Sequence, residues 1–367
     1  MKKIFTLLFA VSFISSLSAQ TYCEDFEGFA IGDPIGETSS VWTTWAANIN
    51  PGLNPPFVDD VSVNGTQANS GSNSLYLTDA TGNGGPQDIL LPLGGVWDLG
   101  QFELSMQMYV SNGTGAYFNF QEEAIAGQSW AMDCMLDSQG NMTFSNGGGA
   151  TTFLTTTYPF DTWFEIKMEI DLTTNYWEVF IDSVSQGYFS NPINQIASLN
   201  LYPTAQTDFW VDDVCISITP YQLTPLNGAI SSISTIEDGL SGQTKSPSVE
   251  VRNLGIMDIT SFDVTVDYNG NQITENISGI NLSSLATMAI DFSQSITLVG
   301  GTQNLTATIN NVNLTTMDDD PSDDSKTISI NAVNPAAGKL VIGEEGTGTW
   351  CGWCPRGAVA LDWMEHD

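Results

Sequence analysis

The chain has 367 residues, 41% of them apolar and 10% aromatic, which is ample for packed cores and excludes a wholly disordered protein. At about 150 residues per domain, that length corresponds to about two or three domains. Eight basic against 42 acidic residues give a formal net charge of −34, so phosphate backbones and anionic lipid repel the chain and nucleic-acid binding drops out.

Lys2 and Lys3 precede an apolar run from Ile4 to Ile14, and small residues follow from Ser15 to Ala19. This is the pattern of a secretory signal peptide over residues 1–19, expected to be removed after Ala19. No other segment approaches the roughly 20 apolar residues of a membrane-spanning helix. The mature chain is therefore expected in the periplasm, on the outer-membrane surface or secreted, where disulfides are permitted.

Residues 20–220 read almost entirely as strands. Phe102, Leu104, Met106, Met108 and Val110 alternate with polar neighbours, as do Trp130, Met132, Cys134 and Leu136. Phe164, Ile166, Met168, Ile170 and Leu172 form a third such run. A strict period of two means half-buried strands with one face on a core. Turn clusters such as Asn83-Gly84-Gly85-Pro86 and Asn146-Gly147-Gly148-Gly149 separate the runs, and the whole predicts a two-sheet sandwich.

Residues 221–336 repeat this grammar on a smaller scale. Val249 and Val251 lead through Asn253-Leu254-Gly255 to Phe262, Val264, Val266 and Tyr268, after which Asn269-Gly270 predicts a tight hairpin turn. About 110 residues of this kind fit a seven-strand immunoglobulin-like sandwich. Over residues 337–367 the character changes. Lys339 to Ile342 reads as a short strand, and Trp350-Cys351-Gly352-Trp353-Cys354 opens a helix after a Gly- and Thr-rich loop, the arrangement of a thioredoxin-like redox motif. The fold class is thus all-β, two sandwiches followed by an incomplete α/β segment.

Several stretches carry resemblances. Cys23 to Gly28, Ser70 to Leu75, Trp163 to Asp171, Val179 to Asp182 and Trp210 to Val214 resemble the concanavalin-like jelly-roll modules, including the MAM and laminin-G-like groups. The second sandwich, with its Asp318-Asp319-Asp320-Pro321 turn, resembles adhesion-type Ig-like modules, which implies a spacer. Glu344 to Cys351 resembles the outer membrane protein 28 family of Bacteroidetes thioredoxin-like proteins, which implies that Cys351 attacks and Cys354 resolves a mixed disulfide. Only 13 residues follow Cys354, too few for the remaining sheet, so the sequence is expected to be the front part of a longer protein and to lack redox activity by itself.

The jelly-roll resemblance implies adjacent terminal strands. Alternation then puts Cys23 and Cys215 on one face, where they are expected to pair, with Trp210, Val214 and Ile216 facing inward. It also gathers Asp25, Glu27 and Asp213, read either as a structural calcium site or as a solvated acidic face. Cys134 is expected to be a buried free thiol. Trp42, Trp45 and Trp163 are read either as platforms for sugar rings or as caps on the core. Glycosidase chemistry is not expected. Glu169 and Asp171 resemble the start of the E-x-D-x-x-E strand that one large glycosidase family on this fold uses, but Thr174 stands where the second carboxylate is needed. His366, the one histidine, excludes an internal Ser-His-Asp triad and a multi-histidine metal site. The Asp318–Asp320 run is expected to be a solvated turn.

Three functions follow from these readings. The first is an exported modular protein whose jelly roll binds a glycan or an extracellular protein. The second is a thiol–disulfide oxidoreductase acting through Cys351 and Cys354 in a longer chain. The third is a structural adhesin.

Overall fold

The computed structural model describes residues 19–234, 236 and 238–335. Within them nearly all of the regular structure is strand, in two compact units that meet in sequence at Gln222 and Leu223. No described helix is long and apolar enough to cross a membrane.

The first unit is an antiparallel sandwich of jelly-roll type. Among the described residues its first sheet has eight strands. In order these are Val184–Phe189, Tyr176–Ile181, Trp163–Asp171, Gln101–Val110, Asp208–Thr219, Ser74–Thr78 and Val63–Asn64, with Gln20–Glu24 also paired to Asp208–Thr219. The second sheet has seven, in the order Thr152–Thr157, Asn141–Ser145, Trp130–Leu136, Ala116–Gln121, Ile196–Leu201, Ile89–Trp97 and Thr43–Thr44.

The expected alternation is what builds the core. Phe102 to Val110 and Phe164 to Leu172 bury every second side chain from the first sheet. Phe118, Phe120, Met132, Cys134, Leu136 and Leu199 meet them from the second. Burying a side chain of this size contributes about 1.5–3 kcal/mol, so these two faces hold the sheets together.

Two of the alternating runs are broken by bulges. On Trp130–Leu136 the register slips between Phe120, opposite Met132, and Gln121, opposite Trp130. The extra residue turns Trp130 out of the core set in which the sequence places it. On Asp208–Thr219 the slip falls between Asp212 and Cys215, with Asp213 at a φ of 47°. Phe209 and Val211 therefore face inward before the bulge and Val214, Ile216 and Ile218 after it, while Trp210 lies on the outer face, opposite to the expectation.

Cys23 and Cys215 are directly paired in register and joined by a disulfide that links the first and last strands of the unit. Cys134 is the buried free cysteine among the described residues.

The second unit is a smaller sandwich. Gly228–Ser234, Ser248–Asn253 and Thr287–Asp291 form one sheet. Gly239–Leu240, Ser325–Val333, Gly301–Asn310, Ile259–Tyr268 and Asn271–Leu282 form the other, and Thr244–Lys245 pairs with Ile296–Thr297 at the side. Val249, Val251, Phe262, Val264, Val266, Leu305 and Ile309 fill its core. Asn269 and Gly270 take positive φ values of 52° and 79° and close the hairpin predicted for them.

The aspartate run is a turn at the surface, with Asp319 exposed and Asp318 and Asp320 half-buried, and it also anchors the chain. Asp318 Oδ2 accepts from Gly228 N at 2.8 Å and Asp319 Oδ2 from Leu226 N at 2.7 Å, so these carboxylates tie the turn to the entry of the unit.

Candidate functional site

The outer face of the second sheet carries a trough of about 470 Å³, lined by Trp45, Asp88, Tyr117, Asn119, Trp130, Asp133, Gly148, Asn200, Tyr202 and Thr204. Its floor follows from strand alternation. Phe118 and Phe120 point into the core, so Tyr117, Asn119 and Gln121 point the other way. Register then sets Asn200, Asn119 and Asp133 side by side on three neighbouring strands.

These polar side chains are nearly sealed from solvent, and a connected network satisfies them. Tyr117 Oη donates to Asp133 Oδ1 at 2.5 Å, and Gly148 N donates to Asp133 Oδ2 at 2.7 Å. Asn119 Nδ2 donates to Tyr117 Oη at 3.2 Å and to Asn200 Oδ1 at 2.7 Å. Asn200 Nδ2 donates to Asp88 Oδ1 at 2.7 Å and to the Ile89 carbonyl at 3.0 Å. Gln121 Nε2 donates to Asn119 Oδ1 at 2.6 Å, and Gly127 N donates back to Gln121 Oε1 at 2.8 Å. Such a network fixes each side chain before any ligand arrives.

Burial shapes its electrostatics. It pushes the Asp88 carboxyl up to about 7, against the Asn200 hydrogen bond and with help from the charge of Asp59. Burial and then the bond to Asp133 push the Tyr117 hydroxyl far above its ordinary range, so it stays a donor.

Two tryptophans form the apolar wall, stacked at 6.2 Å between ring centroids and 22° between planes. Trp45 begins the short helix Trp45–Ile49, whose free N–H groups are capped by Thr44 Oγ1, accepting from Ala47 N, and by Asp59 Oδ2, accepting from Ala46 N. Trp130 reaches it through the bulge described above. Two glycines make room for the pair. A Cβ on Gly127, itself at a φ of 84°, would come within 2.7 Å of the Trp45 ring. One on Gly147 would come within 2.5 Å of the Trp130 carbonyl oxygen.

Of the three tryptophans read as candidate sugar platforms, Trp42, Trp45 and Trp163, Trp45 alone lines this trough. Trp42 is buried against Phe26 and donates through Nε1 to Tyr22 Oη at 3.1 Å, so it is a core residue and offers no platform for a sugar. Trp163 lies on the other sheet, in a cross-strand row with Tyr109, Trp210 and Tyr76. Tyr76 stacks on Trp210 at 4.5 Å, Tyr109 meets Trp210 edge-on at 5.5 Å, and Trp163 packs on Tyr109 at 5.7 Å. These rings spend much of their surface on one another, as cross-strand pairs do.

Asp25, Glu27 and Asp213 are not gathered into one ligand set. Among the described residues no group of three or more His, Cys, Asp or Glu side chains is placed to hold a metal ion. Glu27 Oε1 instead accepts from Ser72 N and Asn73 N, both at 2.6 Å. Asp213 accepts from Asn69 Nδ2 and Ser70 Oγ, both at 2.7 Å, and Asp25 Oδ1 from Glu27 N at 3.1 Å. The bulge at Asp212 and Asp213 turns that carboxylate toward the 69–73 loop. Glu169 lies on the first sheet, away from the trough, in an ion pair with Lys167 at 2.6 Å. Residues 1–18 of the expected leader, Cys351 and Cys354 lie outside the described residues.

No family model matches the chain, and no curated protein does. Similar solved structures include a sialidase, at 12% identity and a TM-score of 0.35 over 51% of this chain. The chain spans 18% of that sialidase's length. The carbohydrate binding module CBM66 from Bacillus subtilis is similar at 14% identity and a TM-score of 0.31, over 48% of this chain and 95% of the module. SCLam, a non-specific endo-beta-1,3(4)-glucanase from family GH16, is similar at 11% identity and a TM-score of 0.35, over 55% of this chain and 91% of the glucanase.

Proposed function

We propose that the first unit binds glycans in the trough between Trp45, Trp130 and the Asn200–Asn119–Asp133 row. The observation that carries this reading is the meeting of stacked indoles with a fixed row of amide and carboxylate groups. Sugar rings have that same duality, an apolar C–H face that an aromatic ring covers and a hydroxyl edge that carboxylates and amides bind. A concave, partly apolar site with a few convergent polar groups is where small ligands are held. Because the floor is already ordered, little side-chain entropy is lost on binding. The second unit serves as a spacer in this reading. The leader pattern and the Cys23–Cys215 disulfide support an exported setting.

A glycan array probed with the wild-type protein, Trp45→Ala and Trp130→Ala tests the reading. The wild type is expected to select a small set of glycans. Either substitution should lower that binding about tenfold or more while leaving the far-ultraviolet circular dichroism unchanged. Equal binding by both variants would remove the trough from the account.

A further inference from the structure

We propose that the glycan taken by this trough carries a free ammonium group, so that it is an amino sugar rather than the N-acetylated, neutral or uronic counterpart. The inference rests on the glycan-binding reading and narrows its ligand.

The donors of the floor are spent within it. Both amide hydrogens of Asn119 go to Tyr117 and Asn200, both of Asn200 go to Asp88 and Ile89, and the Tyr117 hydroxyl goes to Asp133. What these floor groups turn to a ligand is therefore acceptor oxygen, with the hydroxyls of Tyr202 and Thr204 beside them in the lining. Asp88 receives its one side-chain hydrogen bond at Oδ1, and Asp133 receives one at each oxygen, although a carboxylate has about four lone-pair sites.

A third carboxylate stands behind them. Asp59 is 8% exposed and sits against Asp88, whose backbone N–H donates to the Asp59 carbonyl at 2.7 Å. Its Oδ2 is held by Ala46 N, while Oδ1 is buried and finds no hydrogen-bond partner among the described residues. None of the side chains lining the trough is cationic.

A neutral ring laid over this floor would strip water from Asp88 and return only hydroxyl donors. A uronic acid would bring a further negative charge against Asp88 and Asp133. An ammonium answers the arrangement directly. It offers three donors and a positive charge to acceptor-rich groups, and it lies favourably against the faces of Trp45 and Trp130. The ring hydroxyls and the C–H face of the same sugar use the remainder of the trough, which a lysine side chain would leave empty.

Titration calorimetry with four probes tests this: glucosamine oligomers, N-acetylglucosamine oligomers of equal length, a glucuronate-containing oligomer and a lysine-rich peptide. The glucosamine oligomer should bind about tenfold or more tightly than the N-acetylated one, the scale of a charge-assisted hydrogen bond. Added salt should narrow that gap. Asp88→Asn, close to isosteric, should remove most of the advantage, so that the variant binds the glucosamine and N-acetylglucosamine oligomers within about threefold of each other; Asp133→Asn provides the same test should the first variant fail to fold. Equal or tighter binding of the N-acetylated, uronic or peptide probe would overturn the ammonium preference, while Trp130→Ala would still weaken any glycan bound in the trough. Binding by no saccharide at all would overturn the glycan reading and this inference with it.

Discussion

Replacing both disulfide cysteines, in the variant Cys23→Ser/Cys215→Ser, perturbs the first unit at a point where the consequence can be worked out. The bridge spans 192 residues of sequence and joins the ends of the sandwich. In the chain-entropy description a loop of that length stabilises the fold by about 5 kcal/mol, and loss of a native bridge generally costs about 2–5 kcal/mol. The upper part of that range is expected here. The Gln20–Glu24 strand is mostly exposed and is otherwise held by five paired positions along a single neighbour. For a domain of about 200 residues each kcal/mol moves the midpoint by roughly 2–4 °C, so the transition of the first unit should fall by about 8–20 °C. Scanning calorimetry of the variant, with the second unit's transition as an internal reference, reads the effect. A fall of less than about 2 °C would show that the bridge adds nothing to a strand that docks unaided.

Three further outcomes follow from particular groups. Gly147→Ala should weaken glycan binding severalfold and lower the melting temperature slightly in calorimetry, because a Cβ there would press within 2.5 Å of the Trp130 carbonyl and move the wall of the trough. In the second unit, burial first and neighbouring carboxylates next push Asp323 and Asp324 up to about 6. Their unfolded value is near 3.9, so the folded state holds more protons between the two values. The stability they contribute is complete below about pH 4 and is lost as pH rises through about 6. Urea melts of that unit across this window should show the decline, which Asp323→Asn should flatten. Cys134 is wholly buried, and burial together with Asp133 holds its thiol well above the ordinary range. A thiol reagent should therefore leave it unmodified in the native protein and label it on unfolding, and rapid native labelling would contradict its placement.

Much of the fold was legible because alternation is a local signal. Phe102 to Val110 and Phe164 to Leu172 reveal their buried face in the sequence, and Asn269-Gly270 announces its turn. The pairing of Cys23 with Cys215 also follows from the sequence once the terminal strands are neighbours.

Half of the trough was less visible. The polar positions Tyr117, Asn119 and Gln121 can be read from their alternation with Phe118 and Phe120, but nothing local says that Asn200 and Asp133 lie beside Asn119. That depends on which strands become neighbours. Bulges hid the rest: one extra residue moved Trp130 from the core pattern to the trough, and another moved Trp210 outward. Trp42 and Trp45 stand three positions apart in similar company, yet one fills the core and the other opens the ligand wall. The difference lies in Thr44 and Asp59, which start a helix at Trp45 and not before.

The most direct test of the account is a structure determined with the best oligosaccharide from the glycan array. The account predicts a sugar ring against Trp45 and Trp130, with its polar edge within hydrogen-bonding distance of Asp88 or Asp133. A sugar seated instead on the Tyr76–Trp210–Tyr109–Trp163 row, or on the second unit, would contradict it.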